Sequence, residues 1–392
     1  MATSAFKHGD RMKRVLLRAP VFTQSGYGVH ARQIARWLLR RSDVELRVQP
    51  LPWGSTPWYL SGPDALTTSL HDRIDVKPAG YDLSVQLQLP NEWDPSLSSV
   101  AIGVTAGVES DRASQAWGVA VGRMAHVIVP SEHAKLGLVA GGASQSAITV
   151  VPESISASII GATVGSPIDF SENFGIVIVG QLTSQSPEAD RKNIFNTVKW
   201  TRDALGDDPA ATIILKTNAG RNTAIDAAIV RSAFERFVSE QCPRGPKLRI
   251  LHGNITDAQM GALYKHPRIR CYVSLTRGEG FGLPTLEAAA CGVPVIATDW
   301  SAHVEYLSVG KWTRVNKTLS AVPKSRVDGS IFVDGARWAE PDADSYRQKI
   351  VKMRDSYRVP HDWAADLASK LSVTHCEEAI EAAWSSAMQR WL

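Results

Sequence analysis

The sequence predicts an α/β fold made of two parallel-sheet domains, and three observations carry that prediction. Short apolar, β-rich runs recur along the chain, among them VLLRAP, YDLSVQLQLP, SVAIGVTAG, FGIVIVG, KLRIL and VPVIATD, with amphipathic or loop segments between them. Near-continuous apolar runs of this kind suit strands buried on both faces. At 392 residues the chain exceeds one ordinary core and suits two. A stretch rich in serine, glycine and small residues, SISASIIGATVGSPIDFSEN, then separates the two series of strands. We divide the chain into a first domain over 1–155, a linker over 156–172, a second domain over 173–375 and a terminal helix over 376–392.

Composition narrows the function classes. The 44% hydrophobic and 21% charged content is that of a globular protein and excludes disordered and fibrous chains. No stretch approaches a membrane span, and MATSAFKHGDRMKRVLLRAP is basic without an apolar segment before a cleavage site, so a cytoplasmic protein is expected. The sequence leaves open whether Met1 or Met12 begins the functional chain. Cys242, Cys271, Cys291 and Cys376 are widely spaced, with no CxxC pair, and read as buried thiols rather than a disulfide or zinc set. A net charge of +4 permits an acidic ligand without requiring one.

In chain order, Arg14 to Pro20 is the first strand, and Ile34, Trp37 and Leu38 then recur at helical spacing. GYGVHA fits G-x-G-x-x-A, with Asp43 or Glu45 as the ribose acid of a dinucleotide site. Gly26 stands well beyond the strand end, however, and that motif needs its first glycine at the turn. PLPWGSTPWY clusters Trp53, Trp58 and Tyr59, whose faces suit a sugar ring, a base or simple packing. Glu109 lies at the carboxyl end of the SVAIGVTAG strand, where open α/β sheets hold ligands. His126 precedes the apolar run VIVP and reads as structural, and EPDAD reads as a helix cap at Asp342 rather than a metal site.

The most informative stretch is RCYVSLTRGEGFGLPTLEAAACGVPVIATDW. It reads as strand, glycine-rich loop, helix and strand, with Pro284 at the first helical position and Gly292 at the stop. The loop brings the N–H groups of Gly280, Phe281 and Gly282 to a helix N-terminus, a place that favours an anion such as a diphosphate. Glu279 and Glu287 flank that place. Carboxylates beside a diphosphate would repel it, so their role is to accept hydrogen bonds from neutral hydroxyls of a ribose or sugar ring.

This segment, EGFGLPTLEAAACGVPVIATD, resembles the Glu-x7-Glu signature of retaining glycosyltransferases of family 4 (group 1). The resemblance implies the GT-B fold, two Rossmann-like parallel-sheet domains facing across a cleft, with the last helix returning to brace the first domain. It assigns the ribose to Glu287, the transferred sugar to Glu279 and the diphosphate to Gly280, Phe281 and Gly282. By position Arg191, Lys192 and Lys216 supply phosphate contacts, Gly253 lies near the base, and Gly26 and Gly28 contribute backbone to the cleft. Two departures stand out: Gln181 replaces an arginine after the strand glycine, and GVTAGVESDR lacks the histidine many relatives use against the donor sugar, leaving Glu109 or Ser110 in its place.

The resemblance thus implies transfer of a sugar from a UDP or GDP sugar to an acceptor hydroxyl, with no metal and no cofactor beyond the donor itself. The acceptor is a glycan, a lipid-linked sugar or a small molecule. A viral enzyme acting on hydroxymethylated or otherwise modified DNA bases is the runner-up, since nucleic acid suits a basic chain with clustered tryptophans. A nicotinamide-dependent oxidoreductase, from GYGVHA, and a non-catalytic nucleotide-sugar binder are further alternatives.

Overall fold

A computed structural model describes residues 12–59, 64–77, 79–184 and 186–392. The first eleven residues of the predicted first domain, and part of the tryptophan-rich loop, lie outside them. Strands β1 (Lys13–Ala19), β2 (Val44–Pro50), β3 (Tyr81–Leu87), β4 (Ser98–Val104), β5 (His126–Val129) and β6 (Ile148–Val150) form one sheet in the order β2-β1-β3-β4-β5-β6. Strands β7 (Phe174–Val179), β8 (Ala211–Thr217), β9 (Lys247–His252), β10 (Ile269–Ser274), β11 (Val295–Thr298) and β12 (Thr313–Val315) form the other, in the order β12-β11-β10-β7-β8-β9. Every pairing in both sheets is parallel.

Strand order reverses between β1 and β3 in the first sheet and between β7 and β10 in the second. Open α/β sheets bind ligands beyond the carboxyl ends of strands at such reversals. The loops that leave β1, β7 and β10 are therefore where a site belongs.

The first core packs Val15, Leu17, Val85 and Ile102 of the sheet against Ile34, Trp37 and Leu38 of the helix Gly26–Leu39. The helix Glu377–Met388 adds Ile380, Trp384 and Met388 to this same core. Arg36 and Arg40 pair with Glu377 and Glu381 across that contact. The chain's two crossings between the sheets lie side by side, since the Ile155 N–H donates to the His375 carbonyl at 2.9 Å. The stretch read as linker is well packed: Ile159 and Phe170 are buried in the second core, and a short helix Ala157–Ile160 rests on the helix Asp257–Tyr264.

A two-stranded antiparallel ribbon pairs β13 (Lys317–Ala321) with β14 (Arg337–Pro341); β14 is the strand expected before the helix capped at Asp342, and β13 has no counterpart in the sequence reading. Its first strand is polar and largely exposed, so no apolar alternation marks it. Asp342 caps the helix Ala343–Asp355, its Oδ1 accepting the Ser345 N–H at 2.6 Å. Cys242 and Cys271 are buried thiols, but Cys291 and Cys376 are only partly buried. Among the described residues, no helix is long and apolar enough to cross a membrane.

Candidate active site in the cleft between the sheets

The loop after β7 is shaped by Asp190, a residue the sequence reading passed over. Its buried carboxylate accepts the Thr183 hydroxyl at 2.7 Å and the Ile194 N–H at 2.8 Å, which caps the helix Ile194–Leu205 from one turn upstream. Asn193, at φ 54°, turns the chain into that helix without a side-chain cap of its own. Arg191 and Lys192 are thereby held against the loop after β10. They are not a solvated surface pair.

That second loop, TRGEGFG, is stapled from beneath by Arg277. Its buried guanidinium makes a two-pronged ion pair with Glu340 at 2.7 and 2.8 Å and donates to the Asp190 carbonyl at 2.6 Å. Two of the loop's glycines are explained by the other domain. A Cβ on Gly278 would sit 2.0 Å from the Glu109 carbonyl oxygen, and one on Gly280 would sit 1.8 Å from that of Ala106. The first-domain segment 105–109 thus lies directly on the loop, and any side chain there would push the two sheets apart. Ser131 Oγ adds a bond to the Gly280 carbonyl at 2.7 Å across the same contact.

Gly282 takes φ 95° and starts the helix Leu283–Ala290, with Pro284 in its first turn. Among the described residues, the N–H groups of Gly280, Phe281 and Gly282 donate to no acceptor. These orphan donors face a cleft with a volume of about 430 Å³ at the helix N-terminus. That is the size of a small-molecule site, and the donors make it suited to an anion.

Four charged side chains meet beside it. Lys192 Nζ lies 2.5 Å from Glu279 Oε1, Arg191 Nη1 lies 3.2 Å from Glu279 Oε2, and Arg191 Nε lies 2.7 Å from Glu109 Oε2. Two cations and two carboxylates cancel. Burial works to raise Glu279, but the neighbouring Lys192 and Arg191 outweigh it and hold its pKa at about 2. Burial dominates at Glu109, whose pKa is raised despite Arg191.

Lys216 and Glu287 form a second, looser group. Lys216 is buried, with Nζ on the Asn218 side chain at 2.7 Å, and burial lowers its pKa to about 8 against the pull of Glu287. Glu287 accepts the Tyr264 hydroxyl at 3.2 Å, and burial, helped by Asp257, raises it to about 7.

The first-domain wall is built differently. Gly26 lines the cleft as the first residue of its helix, whereas the Gly28 N–H is taken by the capping Ser25 hydroxyl at 3.0 Å. Tyr27, from the same helix, stacks on Trp53 with ring centroids 3.6 Å apart. One turn further on, His30 is buried and lines the cleft, as does Glu153 just beyond β6. The sequence reading did not single out either residue. Glu153 was findable, because it follows a strand's carboxyl end, whereas a histidine beside Ile34 and Trp37 on a helix face looks like core.

The remaining predicted residues separate. Gly253, at φ 99°, gives its N–H to the Thr217 carbonyl at 3.1 Å and so has none free for a base. Ser110 bonds the Arg112 carbonyl at 2.9 Å. His126 Nε2 meets Thr149 at 2.7 Å, away from the cleft. Asp43 and Glu45, the carboxylates of the dinucleotide reading, pair with Arg41 and Arg47. Trp58 is exposed beside Phe22, and Tyr59 lies under Arg32.

Comparison with known proteins agrees with this architecture. Residues 246–325, which contain Glu279 and Glu287, match the family described as glycosyl transferases group 1. No curated protein matches the chain in sequence. Among solved structures, the chain resembles HepE of Anabaena in complex with UDP-glucose at 13% identity, covering 96% of this chain and 100% of that one, with a TM-score of 0.63. A glycosyltransferase of Rickettsia africae is similar at 10% identity over 97% of this chain and 98% of that one, with a TM-score of 0.64. Sucrose-phosphate synthase of Thermosynechococcus elongatus is similar at 15% identity over 96% and 98%, with a TM-score of 0.62. Two parallel six-stranded sheets, crossed twice by the chain and facing each other over a cleft, thus give this protein the GT-B fold of those glycosyltransferases.

Proposed function

We propose that the chain is a retaining glycosyltransferase that moves a sugar from a nucleotide diphosphate sugar to the hydroxyl of a glycan, lipid-linked sugar or small molecule. The observation that carries this reading is the set of orphan N–H groups at Gly280, Phe281 and Gly282, at a helix N-terminus beside Lys192 in the cleft. The match of residues 246–325 to group 1 glycosyl transferases, and the UDP-glucose held by a protein of the same fold, support it.

In this mechanism the diphosphate lies on the loop amides, with Lys192, Arg191 and Lys216 around it. Glu287 accepts ribose hydroxyls and Glu279 orients the transferred sugar. The bond from the anomeric carbon to the diphosphate oxygen breaks, and the loop amides and cations stabilise the charge that develops on the leaving group. The acceptor oxygen bonds to the same face of the anomeric carbon, and its proton passes to the departing phosphate oxygen. In the resting site Glu109 occupies Arg191, so donor binding exchanges a carboxylate for a diphosphate at that guanidinium. Contact between the sheets around the loop excludes water, which would otherwise hydrolyse the donor.

Purified protein incubated with UDP and GDP sugars, without acceptor, tests this. One donor is expected to raise the melting temperature and release its nucleoside diphosphate slowly, and chelation of divalent metals is expected to leave that release unchanged. No shift and no release across the panel would overturn the reading.

A further inference from the structure

Two buried polar side chains on the first-domain wall have no task in the mechanism above. Glu153 is 3% exposed and His30 is 1% exposed, and both line the cleft. Among the described residues, neither Glu153 Oε2 nor either ring nitrogen of His30 meets a hydrogen-bond partner. Leaving such atoms unpaired costs free energy, and native proteins rarely do so without a ligand, water or ion to complete them.

The two belong to one wall. Gln33 bonds both backbone groups of Ser154, donating to its carbonyl and accepting its N–H at 2.9 Å each, which fixes the residue after Glu153 against the helix that carries His30. The stacked Tyr27 and Trp53 continue the wall one helical turn away.

From this geometry we propose that Glu153 and His30, beside the Tyr27–Trp53 stack, form a subsite for a neutral, hydroxyl-bearing ring of the bound ligand. The inference rests on the nucleotide-sugar reading. Its chemistry follows from what the wall lacks: no ion pair of Glu153 or His30 exists among the described residues, so neither has a counter-charge. A buried carboxyl without a counter-charge stays protonated, and a buried imidazole stays neutral. Burial and the field of Glu287 raise Glu153 well above the usual carboxylate range, and burial lowers His30 to about 3. Each group then offers both a donor and an acceptor, which is the complement of a hydroxyl. The aromatic stack supplies an apolar face for the ring. The opposite wall, with Arg191, Lys192 and Lys216, takes the charged part of the same ligand.

The ring is either the ribose or the transferred sugar, and one set of titrations separates them. Dissociation constants are measured for inorganic diphosphate, UDP, GDP, UDP-glucose and GDP-mannose, using the wild-type chain, Glu153→Leu and Glu153→Gln. Glu153→Leu is expected to bind inorganic diphosphate as the wild type does, and to melt no lower, because an apolar side chain replaces an unpaired carboxyl. It is expected to lose tenfold or more on the nucleotide sugar. An equal loss on the nucleoside diphosphate assigns the ribose, and retention there assigns the transferred sugar. Glu153→Gln, which keeps a donor and an acceptor, is expected to stay within threefold of wild type. Unchanged nucleotide-sugar affinity in Glu153→Leu, an equal loss on inorganic diphosphate, or a Gln variant as weak as the Leu variant would overturn the inference alone. Failure of the wild-type chain to bind any nucleotide would overturn the nucleotide-sugar reading, and this inference with it.

Discussion

The second-domain wall of the cleft carries its charges in pairs, while the first-domain wall, Glu109 aside, presents the buried, unpartnered polar groups of Glu153 and His30. On one side Glu279 holds Lys192 and Arg191 in place, and Arg191 reaches over to Glu109. On the other, Glu153 and His30 line the cleft almost wholly buried, with hydrogen-bonding atoms that have no partner. The paired wall is preorganised for an anion, since its cations are already fixed and a diphosphate has only to replace a carboxylate. The unpaired wall is incomplete until a ligand fills it. A single cleft thus suits a ligand that is charged at one end and hydroxylated at the other.

Substitutions on the paired wall sharpen this contrast most. Lys192→Ala is expected to lower turnover by about 10²- to 10³-fold, the usual loss when one group stabilising developing charge is removed. Glu279→Ala removes the anion between two largely buried cations, so it should lower both turnover and melting temperature. Saturating donor should restore part of the melting temperature, because its diphosphate replaces the missing charge. Steady-state kinetics and thermal melts with and without donor check both. Normal turnover in both variants would mean that the quartet only holds the loops together.

Glu287→Ala should behave differently from Glu279→Ala. Its carboxylate is held by one hydroxyl, from Tyr264, rather than by an ion pair. Losing it should raise the donor KM about tenfold, as expected for one or two lost charge-assisted hydrogen bonds, with kcat much less affected. Equal, negligible effects of Glu279→Ala and Glu287→Ala would sink the division of roles between them.

The pH dependence of kcat/KM reports the free protein and probes the looser group. Accepting two ribose hydroxyls requires ionised Glu287, whose pKa is raised to about 7, so activity should rise as pH passes through 7. Holding phosphate requires protonated Lys216, lowered to about 8, so activity should fall as pH passes through 8. The expected profile is a narrow bell. Glu287→Gln should flatten its acid limb and Lys216→Arg its alkaline limb. Limbs that persist in both variants would assign the bell to other groups.

The paired wall was also the more legible in sequence. A glycine-rich loop between a strand and a helix, with carboxylates at Glu279 and Glu287, is a local pattern, and its chemistry follows from helix electrostatics. Even there, the reason for Gly278 and Gly280 was invisible, because it lies in the backbone of Ala106 and Glu109 in the other domain. Asp190 and Arg277 were missed for the same cause: each acts on carbonyls or N–H groups of a loop whose shape no spacing reveals. The first-domain wall is assembled from a helix, a loop and the end of β6, which are distant in sequence, so no motif joins Trp53, His30 and Glu153. Most strands of both sheets were legible because buried strands announce themselves as apolar runs, whereas β12, three residues long at a sheet edge, and β13, which is exposed, were not.

Where the two walls meet away from the site, the smallest effect is expected. Glu305, in the helix His303–Leu307 of the second domain, accepts the N–H groups of Glu132 at 2.9 Å and His133 at 2.8 Å, at the N-terminus of the first-domain helix Glu132–Ala140. A carboxylate at a helix N-terminus contributes about 0.3–1 kcal/mol at an accessible position, and here it also spans the two domains. Glu305→Ala should therefore lower the melting temperature by only about 1–2 °C, since the released N–H groups can turn to water. If the walls act as one site only when held together, the same variant should raise the donor KM slightly, while the affinity for inorganic diphosphate, which needs the second-domain wall alone, stays unchanged. A matching loss on both ligands would mean that Glu305 supports the second-domain wall itself, and that the two walls are not joined through this contact.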